Sequence, residues 1–177
     1  VLVTGATGLV GSHLLINLLQ ENKEVKALYR NKTNIEKVKN VFKFKNQLAL
    51  FDNIVWAEVD ITDIPSLNKA FKDITHVYHC AALISFDPKD EEILRKTNIE
   101  GTANIVNLCS SNSIKKLCYV SSVAAIGHGE ISDIEITEKT EWNPEADNNV
   151  YAITKYGAEI EVWRAIQEGL NAIIVNP

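Results

Sequence analysis

The sequence predicts an α/β chain built on a doubly wound parallel sheet with helices on both faces. Short apolar runs alternate with segments of helical period from the first residue to the last. Strands joined through helices run parallel, and right-handed crossovers lay those helices on both sides of the sheet. A further observation places a ligand on it. The opening run "VLVT" leads straight into Gly5, Gly8 and Gly11, three residues apart.

In order along the chain, residues 1–4 read as the first strand. Leu14, Leu15, Leu18 and Leu19 recur at helical spacing within 11–21. "EVKALYR" (24–30) is the second strand, and 35–51 an amphipathic helix with lysines on its outer face. "IVWAEVD" (54–60) is the third strand. A short helix over 64–72 follows, its Pro65 suited to an early position. "HVYHCAA" (76–82) is the fourth strand, and 91–112 one long helix with a single glycine inside. "KLCYVSS" (116–122) is the fifth strand. A loop rich in Gly, Asp, Asn and Glu spans 127–149. A helix over 151–169 and a strand over 171–176 complete the pattern.

The 177 residues, 46% of them hydrophobic, suffice for one core and predict a single domain over 1–177. The formal charge of −5 gives no reason to expect a nucleic-acid partner, because such proteins are usually basic. No apolar run reaches the roughly 18 residues that predict a membrane span. The three cysteines, Cys80, Cys109 and Cys118, are odd in number and lack metal-ligand spacing. That fits reduced thiols in a cytoplasmic protein and no metal site. His79 and Cys80 read as core residues on the same ground. The chain has no methionine, and it ends as a strand is about to deliver its loop, so it reads as a domain truncated at its C-terminus.

The glycines answer to a phosphate. Gly5 permits a tight turn, Gly8 a close approach of backbone to a pyrophosphate, and Gly11 close packing of helix on strand. The helix that starts here presents free N–H groups and a partial positive charge. The spacing is G-x-x-G-x-x-G, a variant of the commoner G-x-G-x-x-G.

"TGATGLVG" resembles the cofactor loop of the extended short-chain dehydrogenase/reductases, the group of nucleotide-sugar epimerases and dehydratases, dihydroflavonol reductases and 3β-hydroxysteroid dehydrogenases. The resemblance covers the whole chain and implies a Rossmann-type domain. It implies that Gly5, Thr7, Gly8, Leu9, Val10 and Gly11 form the phosphate-binding turn. Asp60-Ile61 matches the acid and neighbour that meet the adenine. "HCAA" brings Cys80, Ala81 and Ala82 along the cofactor. Asn98 in "TNIEGT" matches a residue that steadies sheet and active site. "YVSS" contributes Val120 and ends in the serine position. "YAITK" supplies a Tyr-x-x-x-Lys pair, and Asn176-Pro177 matches the turn that meets the nicotinamide amide. The resemblance also implies a smaller C-terminal substrate domain, and a homodimer packed through the helices over 91–112 and 151–169. Within the second of these, Ile153, Ile160, Val162, Trp163 and Ile166 lie on more than one face.

Tyr151 and Lys155 are four apart and share one helix face. An ammonium beside a phenol favours the phenolate, which suits the phenol to proton transfer near neutrality. A hydride moving to or from a carbinol carbon needs a proton moved at the oxygen. Tyr151 is therefore the candidate acid/base, and Lys155 its partner and, by the resemblance, a ligand of the nicotinamide ribose. Ser122 leaves the carboxyl end of a strand, where its hydroxyl can stabilise charge on a substrate oxygen. Ser121 competes for that role, but Ser122 stands five before Gly127, as the family pattern requires.

NAD-binding relatives end the second strand with an acid for the ribose 2′-hydroxyl. Here Tyr29 occupies that place and Arg30 and Lys32 follow, so NADP is preferred over NAD. Val123-Ala124-Ala125 replaces the acid that dehydratases carry after the serine, and the tyrosine of the epimerase "VYG" is Ile126 here. "HCAALISF" and "ALYRN" resemble the dihydroflavonol-reductase and hydroxysteroid-dehydrogenase branch. The sequence thus predicts a reductase of a small-molecule ketone or aldehyde. A nucleotide-sugar epimerase with tightly held NAD and a non-catalytic NAD(P)-sensing regulator remain the alternatives.

Overall fold

The computed structural model describes residues 1–127 and 136–177, so part of the loop expected over 127–149 lies outside the described residues. Six strands form one parallel sheet in the order β3-β2-β1-β4-β5-β6. They are β1 (Leu2–Thr4), β2 (Val25–Tyr29), β3 (Ile54–Glu58), β4 (His76–His79), β5 (Lys116–Val120) and β6 (Ala172–Val175). Between them run α1 (Leu9–Gln20), α2 (Ile35–Phe44), α3 (Ile64–Ala70), α4 (Glu91–Leu94), α5 (Gly101–Ser111) and α6 (Val150–Gln167).

Both faces of the sheet are covered, so its strands are apolar on both sides. Leu2, Leu28, Val77, Leu117 and Tyr119 join α3, α5 and α6 in one apolar layer. Val3, Val25, Ala27 and Ile54 join α1 and α2 in the other. Consecutive β1 residues thus serve opposite layers, the two-residue period of a strand.

Two expected helices are shorter than their apolar patterns. The helix expected over 35–51 ends at Phe44, where Asn46 turns left-handed at φ +55°, and a 3-10 turn over Leu48–Asn53 carries the rest. The helix expected over 91–112 is broken into α4, a π turn over Arg95–Glu100, and α5. The expected fourth and fifth strands stop at His79 and Val120, so Cys80–Ala82 and Ser121–Ser122 are loop residues beyond the strand ends.

The sheet order reverses at β1. Chain leaves β1 toward β2 on one side, and β4 returns on the other. The loops after β1 and β4 therefore part at their carboxyl ends, the place where such sheets bind ligands.

Candidate functional site

Gly5 turns at φ +61°, and a Cβ there would stand 2.5 Å from Ala81 N. Only glycine lets the loop after β1 pass the loop after β4 this closely. Gly11 is equally confined, since its Cβ would overlap the Gly5 carbonyl. Gly8 caps α1 with no side chain, leaving the first-turn N–H groups open to a ligand. A cleft of about 280 Å³ lies beside this turn, lined by Gly5, Thr7 and Gly8, by Cys80–Ala82, and by Ile61. Glycine turn, bare helix end and cleft together fit the diphosphate and adenosine of a dinucleotide.

The structure sorts the candidate cofactor residues. Leu9 and Val10 are exposed and border a separate hollow with His13, Leu14 and Asn17. Asp60 faces an adjoining hollow with Arg30, Glu58, Asp63 and Ser66. Its Oδ1 accepts from Thr62 N and Thr62 Oγ1, each at 2.8 Å. Partial burial pushes the Asp60 carboxyl up, but the Thr62 bonds and the charges of Arg30 and Lys96 hold it below its ordinary value. Arg30 lines both hollows. Asn31, Asn34 and Thr97 also line the cleft. Sequence reasoning did not single out these three, although Asn31 closes "ALYRN" and Thr97 opens "TNIEGT", because no chemistry attaches to them until the fold brings them to the cleft. Cys80 is half-buried in the cleft wall and not in the core, since it stands beyond the end of β4.

Lys155 is 1% exposed, and its Nζ donates to Tyr119 Oη at 2.7 Å and to Val120 O at 3.0 Å. The ammonium also stands 4.5 Å from the centre of the Tyr119 ring. Burial pushes Lys155 down to about 8, opposed by the charge of Glu159 and then by Cys80. Burial first, and Glu159 second, hold the Tyr119 hydroxyl well above the ordinary phenol range. Tyr119 lies 36 residues from Lys155 in the chain, so no local spacing could have paired them. Tyr151, one turn before Lys155, is half-buried with its ring edge-on to Phe86 at 6.0 Å.

Ser122 is half-buried, and its Oγ accepts from Ala124 N at 3.3 Å, leaving the hydroxyl proton free to donate. The Oγ of Ser121 is buried and has no hydrogen-bond partner among the described residues. Asn176 Nδ2 donates to Ser122 O at 3.0 Å and to Glu159 Oε1 at 2.7 Å. Pro177 O accepts from Val123 N at 3.3 Å. The end of β6 is thereby tied to the loop that carries Ser122.

Asn98 sits in the π turn, 1% exposed. Its side chain accepts from Leu83 N at 2.7 Å and donates to Leu83 O and Thr154 Oγ1. Thr154 Oγ1 in turn donates to Tyr151 O at 2.9 Å. Asn98 therefore links the loop after β4 to the first turn of α6. A second chain of bonds runs below it. Thr102 Oγ1 donates to Asn98 O at 2.6 Å, so it accepts from His79 Nε2 at 3.0 Å. His79 Nδ1 then accepts from Thr4 Oγ1 at 2.7 Å, whose oxygen takes Ala81 N–H. These roles select the Nε2–H tautomer. Burial, reinforced by Lys155, pushes fully buried His79 down to about 3, so it is neutral at any ordinary pH.

Among the described residues no helix is long and apolar enough to cross a membrane, and no three His, Cys, Asp or Glu gather as a metal site.

Comparison with known proteins identifies the family and the fold. The family model of the NAD dependent epimerase/dehydratase family matches residues 1–177. Dihydroflavonol 4-reductase of Callistephus chinensis is 30% identical over 81% of this chain and 39% of its own length. Tetraketide alpha-pyrone reductase 2 of Arabidopsis thaliana is 29% identical over 99% of this chain and 57% of its own. The crystal structure of the terminal R domain from the myxalamid PKS-NRPS biosynthetic pathway superposes with a TM-score of 0.84 at 30% identity, over 99% of this chain and 47% of that one. The chain spans about half the length of the curated relatives it matches. By this match over its full length, the chain belongs to the NAD dependent epimerase/dehydratase family.

Proposed function

We propose that the protein is an NADPH-dependent reductase of a ketone or aldehyde. One observation carries the reading. Lys155 stands one turn after Tyr151 and is anchored to Val120 O, two residues before Ser122. These positions support a reading in which phenol, ammonium and serine hydroxyl act together at the carboxyl end of β5. The reductase names among the relatives support the direction of the reaction.

A bound dihydronicotinamide would supply the hydride. Tyr151 gives its phenolic proton to the substrate oxygen. Ser122 donates a hydrogen bond to the same oxygen and stabilises the charge that develops there. Lys155 supplies a positive charge one helix turn after Tyr151 and is the proposed ligand of the nicotinamide ribose. The glycine turn and the start of α1 hold the diphosphate, and Arg30 receives the 2′-phosphate. On α6, Ile160 and Trp163 are 46% and 50% exposed, which supports pairing of two subunits through α5 and α6.

The test uses the full-length protein. Nucleotide fluorescence should report tighter binding of NADPH than of NADH. Tyr151→Phe should keep that binding and lose about 10²- to 10⁴-fold in carbonyl reduction. Tighter NADH binding would move the epimerase reading to first place. A Tyr151→Phe variant with unaltered biological output would mark a nucleotide sensor.

A further inference from the structure

Glu159 stands on α6 one turn beyond Lys155 and is 8% exposed. A buried carboxylate costs free energy unless its charge and lone pairs are met. Its Oε1 accepts from Asn176 Nδ2 at 2.7 Å, and it forms no ion pair among the described residues. The same Asn176 nitrogen donates to Ser122 O at 3.0 Å. One carboxylate therefore reaches, through a single side chain, the backbone of the proposed catalytic serine. On its own helix it stands one turn beyond the proposed catalytic lysine.

We infer that Glu159 is a positioning residue: through Asn176 it fixes the Ser122 carbonyl, and its charge steadies the Lys155 ammonium. The inference rests on the roles given above to Ser122 and Lys155. The groups that act on Lys155 are Tyr119 Oη and Val120 O from β5, His79 and Cys80 at the end of β4, and Glu159 one turn on along α6. His79 is neutral, and burial pushes the Cys80 thiol up to about 12, so it too is uncharged near neutrality. That leaves Glu159 as the carboxyl group of this set. Its charge raises the proton affinity of Lys155 against the larger effect of burial.

The two halves of the inference separate experimentally. In the full-length protein, the Lys155 ¹⁵Nζ resonance, assigned with Lys155→Arg, gives its titration midpoint. The ¹³C′ resonance of Ser122 reports the bond from Asn176. Glu159→Gln keeps an acceptor for Asn176 but removes the charge. It should lower the Lys155 midpoint by about one pH unit and leave the Ser122 resonance in place. Asn176→Ala should move the Ser122 resonance and leave the Lys155 midpoint. Glu159→Asp keeps the charge and withdraws the oxygen, so it should behave like Asn176→Ala and serves if either other variant fails to fold. A Lys155 midpoint unmoved by Glu159→Gln, or a Ser122 resonance unmoved by Asn176→Ala, overturns the inference. Neither readout uses turnover, so such a failure is distinct from failure of the reductase reading, which Tyr151→Phe tests.

Discussion

Lys155 donates to Tyr119 Oη across 2.7 Å, inside the layer between β5 and α6. The buried ammonium is thus held by a strand tyrosine and a strand carbonyl, and the helix tyrosine one turn away keeps its hydroxyl for other partners. Burial is the larger influence on this lysine, and it lowers the proton affinity to about 8.

The consequence is an alkaline limb. Lys155 is charged below about pH 8 and loses its proton above it. If the charge serves reduction, kcat/KM should be level below that pH and fall as pH rises through it, because this ratio reports groups of the free enzyme. Lys155→Arg should displace the fall to higher pH, since a guanidinium stays charged. A wild-type profile level to pH 9.5 would remove the lysine charge from the mechanism.

His79 predicts a different pH effect, on stability. Its folded value of about 3 lies below the ordinary 6.5, so the unfolded chain takes up the proton first as pH falls. Stability tied to this residue is complete above about 6.5 and drains between 6.5 and 3. From pH 7 to pH 5 the loss is about 2 kcal/mol. Urea unfolding at both pH values checks this. His79→Gln should be less stable at pH 7 and show a smaller loss on acidification. An equal loss in both proteins would place the acid sensitivity elsewhere.

Gly5→Ala should fail in two ways at once. The backbone is left-handed at φ +61°, and the new methyl would meet the backbone of Cys80 and Ala81. Strain of this kind costs about 1–3 kcal/mol before the clash is counted. Because those contacts form the cleft wall, nucleotide binding should weaken beyond what the stability loss explains. Denaturant unfolding and nucleotide fluorescence on one sample separate the two effects.

Most of the fold could be read from the chain because every strand is bounded by an abrupt change of period. "VLVT" ends at Gly5, and "KLCYV" ends at the two serines. The breaks within helical patterns were hidden, because a π turn at Arg95–Glu100 and a left-handed Asn46 leave the apolar spacing nearly intact. At the site, local spacing pairs Tyr151 with Lys155 and puts Thr154 and Glu159 on the same helix, but it shows neither Tyr119 nor the partners that Thr154 and Glu159 find. Their partners Tyr119, Asn176 and Asn98 come from other elements, and only the folded chain supplies them.

The proposed preference for NADPH rests on Arg30. It lines the cleft beside Tyr29, the residue that stands where an NAD-binding acid would end β2. Asp60 lies in the adjoining hollow with Arg30, but Thr62 N and Oγ1 engage its carboxylate and tie its oxygen to the local turn. If the guanidinium meets a 2′-phosphate as proposed, a charged hydrogen bond of this kind contributes about 1.5–3 kcal/mol. Arg30→Ala should therefore weaken NADPH binding by about 10- to 100-fold and leave NADH binding nearly unchanged, so that the two affinities converge. Arg30→Lys should recover part of the loss, since a lysine brings the charge without the planar fork. Equal losses for both nucleotides would mean that Arg30 supports the adenosine as a whole, and the preference for NADPH would then have to come from Lys32.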